Sequence, residues 1–175
     1  MGDYISFIGK HSGLNLNSKE KQIELSKNLN TLCENFYKDE PSFQLIKDQC
    51  VNEQLSTEIG ISEHWCFMNG PYHWELRIGK DTYCLISNIN VKSYNNQESI
   101  DWLKEKTKSI IDFFQSNSLI FLTSDQVWET LIGLNLKEIQ IKLESSFIKQ
   151  NSFKQMESFV FNKSINTIGY YTLLI

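Results

Sequence analysis

His73, Glu75 and Arg77 alternate with Trp74 and Leu76 along one stretch of the chain. In an extended strand, residues two apart share a face, so an imidazole, a carboxylate and a guanidinium stand together while the indole and the leucine point the other way. These three groups would suit metal-independent cleavage of RNA. A carboxylate takes the nucleophile's proton, an imidazole protonates the leaving oxygen, and a fixed cation steadies the charge that builds around phosphorus. The simpler reading of the same alternation is one solvated face of an antiparallel strand, where opposite charges pair along and across strands.

His64, Cys66, His73 and Cys84 form a cluster of transition-metal ligand types, but their spacing matches none of the compact zinc signatures. The register expected for this region weakens the cluster further. Gly79-Lys80-Asp81 reads as a three-residue turn that sets Ile78 opposite Thr82, Leu76 opposite Cys84 and Trp74 opposite Ile86. In that register Cys84 joins the apolar face and turns away from His73, so no metal is expected. His11-Ser12-Gly13 offers a histidine beside a serine, without a supporting nucleophile motif. The Gly-x-Ser-x-Gly, Gly-x-Gly-x-x-Gly and Gly-Lys-Ser/Thr patterns are all absent, which removes the usual sequence support for hydrolase, dehydrogenase, kinase and NTPase readings. No cofactor is expected.

Eleven Phe, seven Tyr and four Trp make aromatics plentiful. Tyr and Trp anchor protein interfaces, and acids steer basic partners. Asp39, Glu40, Tyr72, His73, Glu75, Arg77 and Tyr83 are therefore the candidate partner-binding residues, with His73, Glu75 and Arg77 doubling as the candidate catalytic set.

The elements that must position these residues are read from periodicity. Tyr4 to Ile8, bounded by Gly9, reads as a strand. Leu25, Leu29, Leu32, Cys33 and Phe36 recur at helical spacing, with Asn17 as N-cap and Glu20 as its capping-box partner. Asp39-Glu40-Pro41 opens a second helix with Phe43, Ile46 and Cys50 inward. Ile61 to Val91 reads as a three-stranded meander with turns at Asn69-Gly70-Pro71 and Gly79-Lys80-Asp81. Ser99 caps a helix striped by Ile100, Leu103, Thr107, Ile110, Ile111 and Phe114, which runs into the apolar strand Leu119 to Leu122 and completes a strand-helix-strand crossover. Ser124 caps a short helix ending at a left-handed Gly133. Ile139, Ile141 and Leu143 alternate with polar residues, as do parts of Ser158 to Phe161 and Thr167 to Ile175, giving a C-terminal β-meander, with a helix over 145 to 156 as the rival.

The chain has 175 residues, 41% of them hydrophobic, and only two prolines, which excludes a disordered or collagenous chain. It carries no alanine and a single arginine beside sixteen lysines, sixteen asparagines and twenty isoleucines, the imprint of an AT-rich gene. Its net charge of −4 and pI near 5.4 lack the positive field of a nucleic-acid binder. With no signal-like N-terminus and no apolar run of about 20 residues, the four cysteines are expected to be reduced and the location cytoplasmic.

These features predict a single α+β domain over 1–175, a mostly antiparallel sheet with three or four helices packed on it. Function is expected to be non-catalytic: a bacterial immunity protein or antitoxin that neutralises a basic, nuclease-type toxin by direct binding. Neither nucleic acid nor membrane is expected as a partner. The alternative is a small metal-independent nuclease or phosphodiesterase using His73, Glu75 and Arg77.

Overall fold

The computed structural model describes residues 4–12, 14, 16, 18–37, 58–61, 66–70, 74–90, 97–122, 131, 133–146, 148–149 and 169–174. In chain order these form β1 (Tyr4–Lys10), α1 (Lys19–Tyr37), β2 (Glu58–Ile61), β3 (Cys66–Gly70), β4 (Trp74–Ile78), β5 (Thr82–Asn90), α2 (Gln97–Phe114), β6 (Ser118–Leu122), α3 (Leu136–Ser146), β7 (Ile148–Lys149) and β8 (Gly169–Leu174). The strands make one eight-stranded sheet in the order β2-β3-β4-β5-β1-β6-β8-β7. Every neighbouring pair is antiparallel except β7 with β8, so the architecture is the expected α+β with a mostly antiparallel sheet.

β2 to β5 form a four-stranded meander, one strand more than the turn signals suggest, because Glu58–Ile61 pairs with Cys66–Gly70 ahead of the expected three. From β5 the chain passes through α2 to β6. β1 is inserted between β5 and β6 and antiparallel to both, so the two flanking strands run parallel, as a crossover requires.

Local chemistry sets the element ends. Ser18 caps α1: its carbonyl accepts the Gln22 N–H at 3.2 Å and its Oγ accepts the Lys21 N–H at 3.3 Å, while Asn17, the expected cap, lies outside the described residues. α2 begins at Gln97, which places Ser99 inside the helix instead of at its cap. Its C-terminus is a Schellman motif, with Ser116 N–H donating to Ile111 O at 2.9 Å and Gln115 N–H to Asp112 O at 3.3 Å. Gln115 occupies the left-handed position at φ 52°. Gly133 also has positive φ, 77°, as its sequence context suggests. The expected strand through Ile139, Ile141 and Leu143 is a helix instead. Asn135 and Glu138 close a reciprocal capping box, Glu138 N–H to Asn135 Oδ1 at 3.1 Å and Asn135 N–H to Glu138 Oε2 at 2.8 Å. Ile139 and Leu143, four apart, are buried while Ile141 is exposed, which is helical and not alternating burial.

Helices cover both faces of the sheet. On the first, Leu25, Leu29 and Leu32 of α1 and Ile110, Ile111 and Phe114 of α2 pack on Phe7, Met68, Leu76, Leu85 and Phe121. β6 is buried along its whole length, as its unbroken apolar sequence requires. On the second, Ile139 and Leu143 of α3 cover Ile8, Ile120 and Leu122. Each large apolar side chain removed from water contributes about 1.5–3 kcal/mol. The second-helix segment at 41, the Ser124 helix before Leu131, and Ser158 to Phe161 lie outside the described residues.

Candidate functional site

The β4–β5 hairpin positions the two described members of the catalytic candidate set. Gly79 N–H donates to Thr82 O at 2.8 Å, leaving Lys80-Asp81 as a two-residue loop. Ile78 consequently faces Tyr83, Leu76 faces Leu85, Arg77 faces Cys84 and Glu75 faces Ile86. The register is one residue away from that of a three-residue turn, and a shift of one exchanges the faces of a whole strand relative to its neighbour. Leu76, Ile78, Tyr83 and Leu85 go to the α1/α2 core, while Cys84 stands on the Glu75/Arg77 face. The expectation that Cys84 turns away from that face is overturned by the tighter turn.

Glu75 and Arg77 are brought together as the same-face alternation requires. The Arg77 guanidinium forms an ion pair with the Glu75 carboxylate on its own strand, with the two side chains 16% and 28% exposed respectively. Burial pushes the Cys84 thiol up to about 12, with the nearby Arg77 charge pulling it down and Glu75 pushing it up. A thiol held in its neutral form is neither a nucleophile nor a ready metal ligand. Among the described residues no group of three His, Cys, Asp or Glu side chains is placed to hold a metal ion. No described helix is long and apolar enough to cross a membrane.

Tyr83 is corrected from an interface anchor to a core residue. It is 1% exposed and its ring stacks on Phe114 with centroids 3.8 Å apart. Its hydroxyl lies 3.1 Å from Ser116 Oγ, which also donates to Lys10 O at 2.7 Å. Desolvation pushes the Tyr83 phenol up, out of reach of ordinary alkaline titration. Asp39, Glu40, Tyr72 and His73, along with His64, lie outside the described residues.

His11, noted in the sequence only as a neighbour of Ser12, has a structural role that its local pattern does not signal. It is 3% exposed; Nδ1 accepts the Leu14 N–H at 3.2 Å and Nε2 reaches Gly79 O at 3.0 Å. Its partner is 68 residues away in sequence, so only the fold reveals the contact. Ser12, the other half of the candidate pair, donates instead to Gln115 Oε1 at 3.0 Å.

No family model, curated protein or solved structure matches the chain.

Proposed function

We propose that this chain is a non-catalytic binding protein, in its concrete form a bacterial immunity protein or antitoxin that acts in the cytoplasm by covering the active site of a basic, nuclease-type toxin. The observation that carries the reading is the intrastrand ion pair of Glu75 and Arg77. A general base must offer a lone pair to a substrate proton, and a phosphate-binding guanidinium must offer its N–H fork to the phosphate. Here each group is engaged by the other. The pair contributes local structure and shape to the sheet face, which supports a binding role for that face over a catalytic one. Net charge of −4 supports the same reading, because an acidic protein repels nucleic acid and is drawn to a positively charged nucleic-acid-binding cleft.

The test is co-purification of the tagged protein from its native cell, followed by expression of any stoichiometric basic companion alone and together with this chain. A companion that stops growth alone and is tolerated with this chain supports the proposal. A companion harmless in both settings contradicts it.

A further inference from the structure

We draw no further inference here: the strongest candidate, the cluster of Glu75, Arg77 and Cys84 on the second face of the sheet, belongs to the site already described, and nothing among the described residues shows what covers the rest of that face.

Discussion

Tyr83 lies directly over Gly9. The two are cross-strand partners, and a β-carbon built on Gly9 would fall 2.4 Å from the Tyr83 hydroxyl oxygen and 2.5 Å from the ring carbon that bears it. The absence of a side chain at position 9 is what allows a buried ring to cross β1 and stack on Phe114. Gly9 therefore does not end the first strand, as glycine in a short apolar segment suggests; β1 runs through it to Lys10.

Gly9→Ala should destabilise the fold by roughly 1–3 kcal/mol, the usual range for forcing a methyl group into a filled core. Urea denaturation with an unchanged slope is the check. A variant as stable as the parent would mean that the Tyr83 ring moves freely, contrary to its stacking on Phe114 and its hydroxyl contact with Ser116.

Gln115 holds a left-handed position that suits glycine. Gln115→Gly should stabilise the protein by about 0.5–1 kcal/mol, since the strain removed outweighs both the added freedom of the unfolded chain and one exposed hydrogen bond from Ser12. A fall in thermal midpoint would show that the Ser12–Gln115 contact outweighs the backbone strain.

Asn135→Ala removes one side of the α3 capping box and should cost about 1 kcal/mol. Glu138→Gln keeps a side-chain acceptor for the Asn135 N–H and should cost less. Equal losses in chemical denaturation would contradict the reciprocal geometry.

Alkaline pH should destabilise the fold through buried acids that resist ionisation. Cys84 is pushed up to about 12 and Cys66 is also raised, both by desolvation. The unfolded chain releases these thiol protons near pH 8.5 while the folded chain keeps them, so this contribution is intact below that pH and is lost as pH rises toward 12. Cys84 alone should account for about 2 kcal/mol by pH 10. Cys84→Val should flatten the stability profile between pH 8 and pH 10; an identical profile would remove Cys84 as a source.

Much of the fold was legible wherever burial on one side imposed a period. The Thr107, Ile110, Ile111 and Phe114 stripe of α2 and the unbroken apolar run of β6 are of that kind, as are Leu25, Leu29 and Leu32 of α1. Where two periods fit the same residues, the helix start decided between them. Ile139, Ile141 and Leu143 alternate in sequence, yet only the first and last are buried, because the Asn135–Glu138 box starts a helix there. The hairpin register was misjudged by one residue because the loop composition did not reveal that Gly79 and Thr82 bond to each other. That single residue decided the face of Cys84. The shared face of Glu75 and Arg77 followed from strand period alone, but their mutual ion pair did not. Aromatic content could not tell a buried Tyr83 from an exposed one.

The measurement that bears most directly on the proposed function is a titration of RNA hydrolysis by the co-purifying basic companion against increasing amounts of this protein. Loss of hydrolysis complete at equimolar protein is the predicted result. Hydrolysis of RNA by this protein alone, eliminated by Glu75→Gln in a variant that still folds, would contradict it and make the chain the nuclease.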